Sequence, residues 1–167
     1  TLDVLGQVEG EIAKASVEFI GRRAKAKQPF FLNVGFTNTH YPIRTAPEFV
    51  GKSRIGPYGD AIMELDYRTG QILDAIKAAG VEDNTIVIWI SDNAAAPTGG
   101  PSDTRFGFNG PFRGELGDAT EGSIRTIGMV KWPGKIAPRS SNEMFAVHDW
   151  FPTLASIIGA KVPTDRP

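Results

Sequence analysis

The sequence of 167 residues contains no cysteine. Disulfide bonds, zinc–thiolate sites and a cysteine nucleophile are therefore excluded within these residues. Net charge is almost absent as well, because the 18 Lys and Arg residues nearly balance the 19 Asp and Glu residues. A formal charge of -1 gives no electrostatic basis for binding nucleic acid or an anionic membrane surface. The sequence also lacks a phosphate-binding glycine loop, a Gly-x-Ser-x-Gly motif, and any apolar run near the roughly 20 residues of a membrane span.

The composition that remains is that of a globular protein. Hydrophobic residues make up 41% of the chain and charged residues 22%, and the length suits a single domain with a core of its own over residues 1–167. Apolar residues recur at helical spacing over about 3–26 and over 58–79. We therefore predict two amphipathic helices. The charged residues of the second helix are predicted to lie mostly on its solvated face, and they are Glu64, Asp66, Arg68, Asp74 and Lys77. The first begins without a recognisable start signal, and we expect the chain to be part of something longer.

The sequence also predicts strands. Thr85–Ile90 is an apolar and largely β-branched run, typical of a strand buried on both faces, as in a parallel sheet covered by helices. Phe30–Phe36 is predicted to be a second buried strand, and Ile124–Trp132 a third. The strand–helix–strand order predicts that the first two lie parallel in one sheet, joined by a right-handed crossover.

Asp92 and Asn93 directly follow the central strand. Ligands of open α/β sheets bind just beyond the carboxyl ends of the strands, and side-chain oxygens are the ligands that calcium and magnesium prefer. Local sequence alone favours a polar turn, in which both side chains bond only to nearby backbone, and it is the surroundings of these residues that favour the ligand site instead. His40 lies beyond the end of the Phe30–Phe36 strand, at the same predicted edge. Most lone histidines are structural, but this position favours a proton donor or an anion contact.

A long segment rich in glycine and proline, Ala94–Gly122, follows the central strand. Loops of this length are usually functional or disordered. Its polar and charged residues are Arg105, Asn109, Arg113, Glu115, Asp118, Thr120 and Glu121. Their setting among glycines fits a ligand-binding loop, and a surface loop without function fits it too.

The order of several motifs resembles a known family. The motifs are Phe30-Phe31-Leu32, Thr39-His40-Tyr41-Pro42, Met63-Glu64-Leu65-Asp66, Ser91-Asp92-Asn93, Gly110-Pro111-Phe112-Arg113-Gly114, Glu121-Gly122-Ser123, Trp132-Pro133-Gly134-Lys135 and Asp149-Trp150-Phe151-Pro152. In this order and spacing they resemble the arylsulfatase family of the alkaline-phosphatase-like superfamily, from about Phe19 to Gly159. The match corresponds to the middle-to-C-terminal part of the catalytic domain.

The resemblance implies a three-layer α/β/α sandwich with a mostly parallel sheet, incomplete in this chain. It implies hydrolysis of sulfate esters by a formylglycine nucleophile with one bound calcium. Asp92 and Asn93 match two of the calcium ligands, and His40 matches a catalytic histidine that contacts the sulfate and protonates the leaving oxygen. The implied substrate is a small sulfate ester or a sulfated sugar.

The chain departs from the family pattern in four ways. It has no Cys or Ser in the nucleophile motif x-Pro-x-Arg, and it lacks the pair of aspartates that completes the calcium site. The family's sulfate-binding lysine is replaced by Leu116, so Arg113 is the candidate for the positive charge there. Ala94-Ala95-Ala96 also replaces the usual glycines.

These departures leave three hypotheses: part of a sulfatase whose nucleophile segment lies outside the chain, a non-catalytic remnant or binding module, and a phosphate or phosphonate ester hydrolase. An incomplete sheet also leaves a strand edge open, so we expect either a missing N-terminal segment or self-association to cover it.

The first prediction concerns calcium. Two neighbouring oxygen ligands cannot supply the roughly six to eight that calcium takes, so the 167-residue chain alone should bind calcium weakly. Isothermal titration calorimetry measures this affinity directly. Tight binding by the chain alone would contradict the expectation that the remaining calcium ligands come from outside it.

Overall fold

The structure, a computed structural model, describes residues 2–96 and 107–163. The chain divides into two compact units, residues 1–136 and 137–167. The first contains helices α1 (Leu2–Leu5), α2 (Val8–Lys25), α3 (Pro57–Ala78) and α4 (Glu121–Ile124), and strands β1 (Val87–Ile90) and β2 (Gly128–Lys131). The second contains helix α5 (Trp150–Ile157). Short 3₁₀ turns lie at Glu82–Asn84 and Val147–Asp149. Arg105 lies outside the described residues.

Helices α2 and α3 pack against each other and form the main core. The buried positions of α2 are Glu9, Ala13, Ser16 and Ile20, spaced by three or four residues along one face. Two acidic residues lie in its first turn and three basic residues in its last, which suits the helix dipole. Pro57 begins α3, and its fixed φ together with its missing N–H makes proline well suited to that place. Both predicted long helices are confirmed. In the part of the chain that the structure describes, no helix is both long and apolar enough to cross a membrane.

The sheet differs from the prediction. β1 pairs antiparallel with β2, with Val87 opposite Lys131 and Ile90 opposite Gly128. Val87, Ile88 and Trp89 are half-buried and Ile90 is exposed, while all four residues of β2 are exposed. The expectation of a central strand buried on both faces is therefore wrong for this structure, since the described residues cover it only in part.

Phe30–Phe36 is not a strand in this structure, which corrects the second predicted strand. Its side chains alternate between half-buried and exposed, the period of a strand. Among the described residues, however, the sheet consists of β1 and β2 alone. A strand exists only where a neighbour supplies N–H and C=O partners, and the predicted parallel pairing with Thr85–Ile90 is not formed. The complete three-layer sandwich stays a prediction.

An ion pair connects the turn before β1 to the last residue of β2. Lys131 Nζ lies 2.6 Å from Glu82 Oε1. The hydrogen bond and the charge of Lys131 lower the pKa of Glu82 below its ordinary value of 4.5. The ion pair stabilises the ionised carboxylate in the folded chain but not in the unfolded chain. Its contribution to stability is therefore present above pH 4.5 and is lost as the pH falls through the lowered pKa.

We therefore predict that Glu82→Gln lowers the melting temperature slightly at pH 7, and that this effect disappears as the pH falls through the lowered pKa of Glu82, where the carboxyl becomes as neutral as the amide. Added salt should shrink the difference, because the pair is exposed to solvent. Thermal unfolding followed by circular dichroism across pH gives both results. Asp83→Asn, an exposed change of the same kind in the same turn, is the control and should show no such pH dependence.

Candidate functional site

His40 lies on a short turn that hydrogen bonds hold closed. Its backbone N–H donates to the Thr37 carbonyl at 3.0 Å. Its ring Nδ1 lies 2.6 Å from the Tyr41 carbonyl oxygen. A carbonyl only accepts hydrogen bonds, so Nδ1 carries the proton and Nε2 is the nitrogen left for a ligand. The side chain is exposed to solvent, as a group that meets a substrate must be.

Two buried carboxylates hold this turn and the residues that follow it. Glu9 of α2 is 1% exposed, and its Oε1 accepts hydrogen bonds from the N–H groups of Thr37 and Asn38, at 2.9 and 3.1 Å, and from the Thr37 hydroxyl. Glu64 of α3 is fully buried, and its Oε2 accepts from the N–H of Ala46 at 3.0 Å. The segment that carries His40 is thus tied to one helix at its start and to the other near its end.

Arg68 compensates the buried charge of Glu64. Its Nη2 lies 3.2 Å from Glu64 Oε1 and 3.0 Å from Glu48 Oε1. A Cβ on Gly10 would lie only 3.4 Å from the Arg68 guanidinium, so the missing side chain lets Arg68 lie against α2. The expectation that Glu64 and Arg68 belong to a solvated helix face is wrong, because both face the contact between α2 and α3.

Asp92 and Asn93 follow β1, as predicted. Asp92 Oδ1 accepts from the Asn93 N–H at 3.0 Å, and Asn93 Nδ2 donates to the Ala94 carbonyl at 2.8 Å. The Asn93 carbonyl also accepts from the hydroxyls of Ser91 and Thr126, at 3.1 and 3.3 Å. These bonds are those of a polar turn, and they leave Asp92 Oδ2 and Asn93 Oδ1 without a hydrogen-bond partner among the described residues. The turn and the metal-ligand interpretations are therefore compatible.

Asn109 joins this turn to the Arg113 segment. Its Oδ1 accepts from the Ala95 N–H at 2.8 Å, and its Nδ2 donates to the carbonyls of Ala95 and Gly114, each at 3.0 Å. The N–H of Leu116 also donates to the Ala95 carbonyl, at 3.2 Å. The sequence shows Asn109 only as one polar residue of a loop that could be either functional or not. Its bridging contacts could not be predicted, because the partners of its amide lie 14 and 5 residues away.

Arg113 and Gly114 pack tightly against helix α4. The Gly122 N–H donates to the Arg113 carbonyl at 2.9 Å. A Cβ on Gly122 would lie 2.4 Å from the Gly114 carbonyl oxygen and 2.6 Å from that of Arg113. Only glycine permits this approach. The Arg113 side chain is exposed, and it lines an open depression of about 460 Å³ with Phe112, Thr120 and Ile124.

The side chain of Leu116 is half-exposed. Its backbone takes part in the bond to Ala95, so the position is held in place while its side chain is apolar. Arg113 lies three residues before Leu116 and is the nearest cation to it in sequence. The substitution of Arg113 for the family's lysine stays a prediction.

The donor set at Asp92 and Asn93 fits calcium in kind but not in number. Carboxylate and amide oxygens are calcium ligands. Within residues 2–96 and 107–163, however, no group of three or more His, Cys, Asp or Glu side chains could hold a metal ion. Any calcium would take Asp92 and Asn93 as two ligands and need the others from elsewhere.

The structure therefore brings the candidate residues together in two groups. Asp92 and Asn93 are connected to the Arg113 segment through Ala95 and Asn109. His40 belongs to a separate network, anchored on Glu9 of α2.

A family model described as Sulfatase matches residues 6–160. The chain belongs to the sulfatase family. It is 39% identical over 158 residues to steryl-sulfatase of Rattus norvegicus, and 37% identical over 152 residues to N-acetylgalactosamine-6-sulfatase of Canis lupus familiaris. These alignments cover 93% and 90% of the chain but only 27% and 29% of those relatives. The chain thus spans less than a third of their length.

Solved structures agree with this assignment. A sulfatase structure described with glycosaminoglycan metabolism by Bacteroides thetaiotaomicron matches with a TM-score of 0.86 and 32% identity, over 96% of this chain and 34% of its own. A sulfatase from Pseudoalteromonas matches with a TM-score of 0.75 and 30% identity, over 81% of this chain and 26% of its own. The described part of the chain therefore has the α/β fold of the sulfatases, which is alkaline-phosphatase-like.

The tight contact at Gly122 predicts the effect of adding a side chain there. Gly122→Ala should push Arg113 and Gly114 away from α4, because carbonyl oxygens 2.4 and 2.6 Å from a Cβ cannot be accommodated. We expect a loss of stability of about 1–3 kcal/mol, the usual cost of overpacking. Urea unfolding measures it. Gly128→Ala is the control, since nothing lies within 4 Å of the place that its Cβ would occupy. Equal losses of stability in both variants would contradict the packing argument.

Proposed function

We propose that this chain is part of a sulfatase that hydrolyses sulfate esters with a formylglycine nucleophile and calcium, the nucleophile lying outside these residues. The observation that carries the proposal is the connection through Asn109, which holds the Asp92–Asn93 turn beside the Arg113 segment. Oxygen ligands and a cation are thus kept in one structural unit. Sulfuryl transfer needs both, because negative charge on the sulfuryl oxygens must be neutralised.

His40 is the proposed catalytic acid. With the Nδ1 proton donated to the Tyr41 carbonyl, protonation at Nε2 gives a cation that can contact the sulfate and then donate its proton to the leaving oxygen. The Tyr41 carbonyl fixes the ring, so the proton is transferred from a defined atom. A short turn that is anchored on helix α2 suits this task better than a free loop does.

Arg113 is the proposed substrate-binding cation. Its guanidinium is exposed beside the depression that α4 borders, while its backbone is fixed by Gly122. A planar guanidinium binds tetrahedral oxyanions through two parallel N–H groups. Asp92 and Asn93 would hold calcium with ligands from outside the chain, and calcium when bound would polarise a sulfuryl oxygen.

The proposed substrate is a small sulfate ester or a sulfated sugar. Support comes from the names of the relatives, which include a steryl-sulfatase and an N-acetylgalactosamine-6-sulfatase. The open shape of the depression at Arg113 suits either class.

A phosphate or phosphonate ester is the second candidate. Leu116 favours it, since the apolar side chain stands where the resemblance places a sulfate-binding lysine. A non-catalytic binding role is the third candidate, and it rests on the missing nucleophile motif in this chain.

The test uses the full-length protein that contains this chain. Wild type should hydrolyse nitrophenyl sulfate in preference to nitrophenyl phosphate, and a chelator should abolish turnover. On phenyl sulfate, whose leaving group needs a proton, His40→Ala should lower kcat by about 10²- to 10⁴-fold, the usual contribution of a general acid. His148→Ala, at an exposed histidine of the second unit, is the matched control and should retain full activity.

Each alternative has its own outcome in the same assay. Preference for the phosphate ester would replace the sulfatase proposal with the second candidate. Absence of turnover on both esters by a folded, calcium-loaded protein would favour the non-catalytic role.

A further inference from the structure

We infer that Glu9 is a positioning residue for His40, an inference that rests on the proposed function. Glu9 is a carboxylate buried in helix α2, 1% exposed. A buried carboxylate is costly unless hydrogen bonds satisfy it. Nothing in the packing of α2 requires a charge here, because the next buried positions on the same face are the small or apolar residues Ala13, Ser16 and Ile20.

All the described hydrogen bonds of Glu9 go to the turn that carries His40. Its Oε1 accepts from two consecutive backbone N–H groups, those of Thr37 and Asn38, and from the Thr37 hydroxyl. Two adjacent N–H groups aimed at one oxygen fix the orientation of the peptide unit between them. The Thr37 carbonyl then accepts from the N–H of His40 at 3.0 Å. A continuous chain of hydrogen bonds thus runs from Glu9 to the backbone of the histidine.

Asn38 supplies a second anchor. Its Nδ2 donates to the Ala61 carbonyl of α3 at 3.3 Å, and Ala61 is fully buried. The turn is therefore held between both core helices, and Glu9 is its only charged anchor among the described residues. Glu9 Oε2 is buried and without a hydrogen-bond partner in the described structure. The carboxylate is therefore satisfied through Oε1 alone, by donors of the turn, and in accepting from them it anchors the turn.

Glu9→Gln tests this role because it keeps the size and removes the charge. A neutral amide oxygen accepts the same hydrogen bonds more weakly, and its NH₂ would enter the site where Oε2 already lacks a partner. We expect His40 to be less well placed, with the stability of the rest of the protein largely kept. Glu11→Gln makes the same chemical change two residues away at an exposed position of the same helix and is the matched control.

The decisive measurement is kcat/KM of the full-length protein on two esters of similar shape, phenyl sulfate and nitrophenyl sulfate. Nitrophenolate leaves readily, whereas phenolate needs a proton from the acid. Glu9→Gln should lower kcat/KM on phenyl sulfate by about 10- to 100-fold, the effect of a misplaced catalytic group, and much less on nitrophenyl sulfate. His40→Ala should show the same contrast between the two esters. The double variant Glu9→Gln/His40→Ala should lose little more kcat/KM on phenyl sulfate than His40→Ala does alone. Equal losses on both esters would mean that Glu9 only supports folding, which would overturn the inference.

Hydrogen exchange tests the placement without activity. In Glu9→Gln, the amides of the Thr37–His40 turn should exchange at least several-fold faster than in wild type and in Glu11→Gln, as measured by mass spectrometry on peptides from this region. Unchanged exchange would also overturn the inference. If wild type hydrolyses no sulfate ester, the proposed function fails, and the exchange result still decides whether Glu9 holds the turn.

Discussion

Two negative charges buried between helices α2 and α3 determine the path of the chain around them. Glu9 and Glu64 are 1% and 0% exposed, and each would be strongly destabilising without donors. Arg68 supplies one partner, and the backbone N–H groups of Thr37, Asn38 and Ala46 supply the others. Because backbone N–H groups are part of the chain, satisfying the carboxylates also fixes the segment between Thr37 and Ala46, and His40 lies within it.

The two long helices could be predicted from the sequence, whereas their buried carboxylates could not. Helical periodicity locates α2 and α3 because it is a local signal. The same rule assigns every charged residue to the solvated face, and so it misassigned Glu64 and Arg68. Their partners outside α3, Ala46 and Glu48, lie 18 and 20 residues away in a segment that has no pattern of its own. The small residues Gly10, Gly59 and Ala61 were the available hint, since they mark where another part of the chain comes close.

For the strands, the segments that can form them could be predicted from the sequence, whereas their pairing could not. A run such as Thr85–Ile90 indicates the capacity to form a strand, and β1 forms within it at Val87–Ile90. Which neighbour it pairs with depends on residues far away in sequence, here Gly128–Lys131. Phe30–Phe36 has the same capacity and shows the alternation of exposure, yet no described residue pairs with it. The positions of Asp92 and Asn93 at the end of β1 could still be predicted, because they depend only on where the apolar run ends. The sheet-edge position of His40 stays a prediction, because no described residue pairs with Phe30–Phe36.

The candidate groups are held by two networks that share no described hydrogen-bond partner. Glu9 and Asn38 hold His40, while Asn109 and Gly122 hold the turn of Asp92 and the segment of Arg113. Changes in separate networks usually add in their effect on stability. In catalysis the same changes should not add, because a single sulfuryl group would have to meet the acid, the cation and the metal at once. A pair of variants, one from each network, that is additive in unfolding free energy but not in kcat/KM would therefore locate the substrate between the two.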